Sequence, residues 1–184
     1  MENADIAKIF EDIADLLEIK NENPFRVRSY RNAALVIGGI PESLRSLVMR
    51  DESELEDIKG IGKSIHEKIV EIIKTGKCKF HDELLKELPP GLLELLEVSG
   101  IGPKKVHLLY DNLGIKSVEG LEKAARDGKI RDLPHMGEKT EEKILKAIGE
   151  FKSHKGRFRI SIPLSYAESL IDYLKKIPGI MKVE

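Results

Sequence analysis

Apolar residues recur every three to four positions through most of the chain, the spacing of helices buried along one face. Ile6, Ile9, Phe10, Ile13, Leu16 and Leu17 form the first stripe, with Glu11, Asp12, Asp15 and Glu18 between them. This pattern predicts an acidic amphipathic helix that faces away from any polyanion. Asn23-Pro24 then supplies a cap and a first-turn proline for a second helix through Val27, Tyr30, Ala34 and Ile37, whose polar side carries Arg26, Arg28 and Arg31. Gly38-Gly39 ends it, a short helix runs through Leu44, Leu47 and Val48, and a further helix is predicted to start near Ser53. Pro89-Pro90-Gly91 makes the clearest break near the middle of the chain. Beyond it, helices are predicted through Val106, Leu109, Tyr110 and Leu113, from a Ser117 cap, through Ile144, Leu145, Ile148 and Phe151, and through Leu164, Leu170 and Leu174. Residues 157–162 alternate polar and apolar and 180–183 could start a strand, but neither segment has a convincing partner. The predicted class is all-α.

One unit repeats. Leu55 to Gly62 and Leu95 to Gly102 each run an apolar helix end into Gly-Ile-Gly, at Gly60-Ile61-Gly62 and Gly100-Ile101-Gly102, followed by another helix. A third copy, Leu133-Pro134-His135-Met136-Gly137, keeps the second glycine alone. Glycine permits a positive φ and close approach by a partner, while the intervening Ile or Met can pin the turn to a core. The helix that follows presents unsatisfied N–H groups and the positive end of its dipole, a phosphate site indifferent to base identity. Lys63, Lys104 with Lys105, and Lys139 stand beside the three turns. The plain alternative for any one copy is a tight helix–helix turn. Two nucleotide motifs fail on context: Asp57 stands where a P-loop before Gly62-Lys63-Ser64 needs its first glycine, and Ile65 replaces the third glycine of a dinucleotide fingerprint.

Composition narrows the function. The 184 residues hold 31 Lys and Arg against 32 Asp and Glu, a net charge of −1, so the chain does not coat nucleic acid by bulk attraction, although a basic strip on one face is permitted. The absence of Trp and an aromatic content of 5% argue against a base-stacking platform and favour contact with the backbone. No apolar run approaches a membrane span, and Cys78, the one cysteine, has no partner for an internal disulfide. A cytoplasmic protein is expected, with no membrane partner. His66, Cys78 and His81 lack the paired spacing and fourth ligand of a zinc site.

With these motifs in view, the chain resembles the amino-terminal part of family X DNA polymerases, the group that includes DNA polymerase beta. The resemblance rests on Asn23-Pro24-Phe25-Arg26-Val27-Arg28-Ser29-Tyr30-Arg31, on Lys59-Gly60-Ile61-Gly62 through Glu67-Lys68-Ile69, on Thr75-Gly76-Lys77, and on Val98-Ser99-Gly100-Ile101-Gly102-Pro103. It implies three helix-hairpin-helix motifs in two helical units: a lyase-like domain over residues 1–79 and a fingers or thumb subdomain over 80–150, with 151–184 as the start of the palm or a linker helix. It further implies a monomer that binds gapped or nicked DNA in repair, the first hairpin on the downstream strand and the second on the primer side. A monovalent cation, K+ or Na+, is implied on backbone carbonyls such as those of Ser99 and Ile101, or at the Lys59 to Gly62 turn. The family's paired palm aspartates, which hold Mg2+ for nucleotidyl transfer, have no counterpart here: there is no Asp-x-Asp pair, so the chain is expected to be a fragment without polymerase activity.

The DNA contacts implied are Arg26, Arg28, Tyr30, Arg31, Gly60, Gly62, Lys63, Gly100, Gly102, Lys104, Lys105, Gly137 and Lys139. At the family's lyase position stands Lys68, whose chemistry would be Schiff-base formation with an abasic sugar by a neutral amine. Phe25, Arg26, Glu56 and Ser64 occupy positions where relatives bind a 5′-phosphate with lysines and a histidine, and the third hairpin repeats the Glu-Lys-Ile run at Glu142-Lys143-Ile144. Three readings therefore stand: a sequence-independent DNA-binding region, a 5′-deoxyribose-phosphate lyase acting through Lys68, and a helical adaptor for another repair protein.

Overall fold

The computed structural model describes residues 1–155, with side chains through residue 153. The alternating segment at 157–162, the segment at 180–183, the helix through Leu164 and most of the 151–184 segment lie outside the described residues. Within them the chain is helical throughout: α1 (Asn3–Ile19), α2 (Pro24–Gly39), α3 (Leu44–Arg50), a 3-10 turn (Glu52–Leu55), α4 (Lys63–Thr75), α5 (Lys79–Glu87), α6 (Gly91–Leu96), α7 (Pro103–Leu113), α8 (Val118–Arg126) and α9 (Glu138–Lys155). No helix among these residues is long and apolar enough to cross a membrane.

The predicted stripes bury as read. Ile6, Phe10, Ile13 and Leu17 of α1 meet Val27, Tyr30, Ala34 and Ile37 of α2 in a first core, which Leu44, Leu55, Ile61, Ile65, Ile69 and Ile72 complete. Each such aliphatic side chain contributes about 1.5–3 kcal/mol when withdrawn from water. At the start of α1, the Asn3 amide donates to the Ile40 carbonyl (3.0 Å) and the Glu42 carbonyl (2.8 Å), while its oxygen accepts the Leu44 N–H (2.9 Å). A single side chain thus closes the connection between α2 and α3. Near Ser53 the expected helix is one 3-10 turn, since Leu55 alone in that run reaches the core and Asp51 caps the turn by accepting the Ser53 N–H (2.9 Å).

A second core gathers Leu92, Leu95, Val98, Ile101, Val106, Leu109, Val118, Leu121, Ile130, Met136, Ile144 and Ile148. Gly91 belongs where it is because a Cβ there would stand 2.2 Å from the Lys116 carbonyl oxygen. Ser117 caps α8, accepting the Gly120 N–H (3.2 Å). The two cores are joined by α1: its last residue, Ile19, is buried in the second core, while Leu84 of α5 belongs to the first. Leu88 packs against both, and Lys20 pairs with Glu87 across the junction. The helix that carries the acidic face therefore serves as the strut between the two hairpin-bearing units.

Candidate nucleic-acid interface

Three turns share one backbone. Ile61 N–H donates to the Ile58 carbonyl (3.0 Å), Ile101 N–H to Val98 (3.1 Å) and Met136 N–H to Leu133 (3.0 Å). One residue further on, the carbonyls of Gly62, Gly102 and Gly137 each accept the first two N–H bonds of α4, α7 and α9 (2.8–3.1 Å). The residue ahead of that glycine is the anchor, with Ile61 and Ile101 each 5% exposed and Met136 1%. Before the anchor the backbone is left-handed, φ +102° at Gly60, +81° at Gly100 and +62° at His135. The third copy thus holds the same turn with a side chain in a region that costs most residues about 1–2 kcal/mol.

The second glycine of each turn has a different logic. Gly62 and Gly102 are extended, at φ −82° and −105°, a conformation open to any residue. A Cβ at Gly62, Gly102 or Gly137 would meet nothing within 4 Å. The fold itself gives no reason for glycine at these positions, and its smallness leaves the helix start open from outside. At α4 and α7 no side chain caps the helix and no acidic residue lies in the first turn. Lys63, Lys104 and Lys139 are unpaired among the described residues, and all three are exposed. Lys105 instead folds back, its ammonium donating to the Gly100 carbonyl (2.7 Å). The carbonyls of Ser99 and Ile101 on either side accept no protein hydrogen bond among the described residues.

The third helix start is built otherwise. Glu138 and Glu141 both lie in the first turn of α9. Glu141 is buried and accepts the N–H groups of Ile130 and Arg131 (3.0 Å each) and two guanidinium bonds from Arg131 (2.8 and 2.6 Å). Burial pushes its carboxyl up, but Arg131 and the two backbone donors outweigh this and hold it below the ordinary value.

Around the first hairpin, Arg26, Ser29, Tyr30, Gly60, Gly62, Lys63, Ser64 and Lys68 line one cleft of about 590 Å3. Six of the residues expected from sequence thus come together here. Lys68 donates to the Ser64 carbonyl (3.2 Å) and hydroxyl (3.1 Å), with its nitrogen 5.9 Å from the Tyr30 ring and 5.3 Å from Phe80. Tyr30 is sandwiched between Phe10 (6.1 Å) and Phe80 (5.9 Å), and Arg26 lies over Phe80 at 5.0 Å. Sequence pattern does not reveal Phe80, because no periodicity marks a residue that joins the cleft from α5.

Arg31 is removed from the cleft by α1, its guanidinium bound to Asp15 (2.9 Å) and Glu18 (2.6 Å). Arg28 lies against the exposed Phe25 ring (5.7 Å). His66 pairs loosely with Glu56 (3.5 Å), His81 stands 4.0 Å from Asp12, and burial pushes the Cys78 thiol up. Among the described residues no group of three or more His, Cys, Asp or Glu could hold a metal ion.

Comparison with known proteins agrees with this geometry. Residues 1–78 match the family described as a helix-hairpin-helix domain, and residues 92–150 the SAM-like helix-hairpin-helix tandem. Over 182 residues, 99% of the chain, the sequence is 37% identical to the DNA polymerase/3′-5′ exonuclease PolX of Bacillus subtilis (strain 168), of whose length it spans 31%. The chain contains helix-hairpin-helix domains and, over nearly its whole length, resembles the family X DNA polymerases.

Proposed function

We propose that the chain, as a cytoplasmic monomer, grips the sugar-phosphate backbone of gapped or nicked DNA without reading its sequence, as part of a family X-like repair polymerase. The observation that carries this reading is the pair of open helix starts at α4 and α7. Each joins an uncapped helix end, a glycine whose smallness the fold does not require, and an unpaired lysine. Such donors attract a phosphate and are indifferent to the base attached to it. Two grips on units joined through α1 suit a strand interrupted and bent between two duplex arms. A relative named as a DNA polymerase and exonuclease supports the same reading.

The test is fluorescence anisotropy with a short-gapped duplex, a nicked duplex and an intact duplex across a salt series. Preference for the interrupted substrates is expected, with log affinity falling by about 0.9 per decade of salt for each phosphate neutralised. Equal binding of all three overturns the preference for interrupted DNA, and the absence of salt-dependent binding overturns the phosphate grip and leaves the adaptor reading in its place.

A lyase activity is the second reading, favoured by the position of Lys68 at the wall of the cleft that holds Gly62 and Lys63. Its amine would attack the aldehyde carbon of an opened abasic sugar and, with loss of water, form an imine. Borohydride would reduce that imine to a stable adduct at Lys68. No adduct under conditions that trap a known lyase removes this reading.

A further inference from the structure

A second cleft, of about 500 Å3, lies where the two units meet, between the α1–α2 turn and α2 on one side and α7 on the other. Its size falls within the range of small-ligand sites, roughly 300–1,000 Å3. Pro24, Val27 and Leu108 give it an apolar lining. Of its charged groups, Glu18 is bound to Arg31 (2.6 Å) and Glu22 lies beside Arg26 (3.6 Å). Arg28 from α2 and Lys104 from α7 remain without a carboxylate partner among the described residues, Arg28 lying against the Phe25 ring, and His107 of α7 also lines the cleft. An apolar surface flanked by two cations without a carboxylate partner complements a nucleotide, its base against the aliphatic groups and its phosphate toward the cations.

Position sharpens this. Lys104 stands in the first turn of α7, two residues beyond Gly102, so the cleft opens beside the second hairpin while its other wall belongs to the unit that carries the first. We propose that the cleft holds a nucleotide of the unpaired strand that crosses from one hairpin to the other. The inference rests on the DNA-binding reading above and adds to it a site for single-stranded DNA. Packing of Ile19 into the second core holds the two walls together, so the cleft is formed before the strand arrives.

The experiment compares the unaltered chain with an Arg28→Ala, His107→Ala double variant on a nicked duplex, which has no unpaired nucleotide, and on a duplex with a five-nucleotide gap. Circular dichroism melting checks that the variant folds. The variant is expected to lose about tenfold in affinity for the gap, equivalent to about 1.4 kcal/mol, and less than twofold for the nick. Equal losses on both substrates, or no loss on either, overturn the cleft assignment while leaving the hairpin grips intact. If the unaltered chain prefers neither substrate to intact duplex, the gapped-DNA reading on which this inference rests fails. As an independent readout, 5-iododeoxyuridine placed in the gap should crosslink to peptides holding Arg28 or His107; crosslinks confined to the hairpin turns contradict the proposal.

Discussion

The first two hairpins and the third have one backbone and two electrostatic designs. Each turn closes on the same hydrogen bond, buries the same anchor position and hands its second glycine to the next helix. At α4 and α7 the first turn contains no carboxylate, whereas α9 begins with Glu138 and Glu141. Glu141 turns inward and binds the Ile130–Arg131 segment, and Arg131 reaches Glu138 as well (3.3 Å). The lesson is that an open helix start is an anion site only where the protein leaves its positive end uncommitted. In the third copy two carboxylates stand in the first turn and one of them is tied to the Ile130–Arg131 segment, so the motif reads as a structural lock.

The largest expected effect follows from breaking that lock. Glu141→Gln removes the charge that Arg131 and two backbone donors face, and should destabilise the chain by about 2–3 kcal/mol in urea unfolding. Because the folded carboxyl lies below its ordinary value of 4.5, its contribution is complete above that pH. It is lost as pH falls through the lowered folded value, and the variant should lack this acid-induced fall.

Next in size is the grip itself. Lys104→Glu with Lys105→Glu should weaken binding to gapped DNA by tenfold or more at low salt, equally for all sequences, and reduce the salt slope by about one for each phosphate no longer neutralised. Anisotropy titrations at several salt concentrations measure both. The smallest effect is expected for Lys139→Glu, less than twofold in the same titration, since Glu138 and Glu141 already surround that helix start. A loss comparable to that at Lys104 would erase the distinction between the hairpins.

Much of this was legible in the chain. The apolar stripes located the helices because helical burial is a local, periodic property, and Ile61, Ile101 and Met136 emerged as the anchors of the turns. The hairpin lysines and glycines lie where the repeat puts them. Pairing between elements was less accessible. Arg31 sits on the polar stripe of α2 with Arg26 and Arg28, yet the crossing of α1 places Asp15 and Glu18 against it alone. Tyr30 appears at a position that relatives suggest for phosphate contact, while its side chain is 4% exposed and stacked between two phenylalanines. Ile19, the last apolar residue of α1, gives no sign in its spacing that it leaves one core for another. The left-handed His135 is likewise visible only by analogy with Gly60 and Gly100, because sequence identity alone does not report φ.

On the proposed function, Gly62 and Gly102 are small for the sake of a partner outside the chain. Serine suits the extended backbone at both positions and is a better helix cap than glycine, by a few tenths of a kcal/mol. It would also turn its own oxygen onto the N–H groups that a phosphate needs. The decisive measurement is therefore unfolding and gapped-DNA binding of the Gly62→Ser, Gly102→Ser double variant, side by side. Stability equal to or slightly above that of the parent chain is expected, with affinity reduced by about tenfold. Undiminished affinity in a stably folded variant would contradict this role of the two glycines.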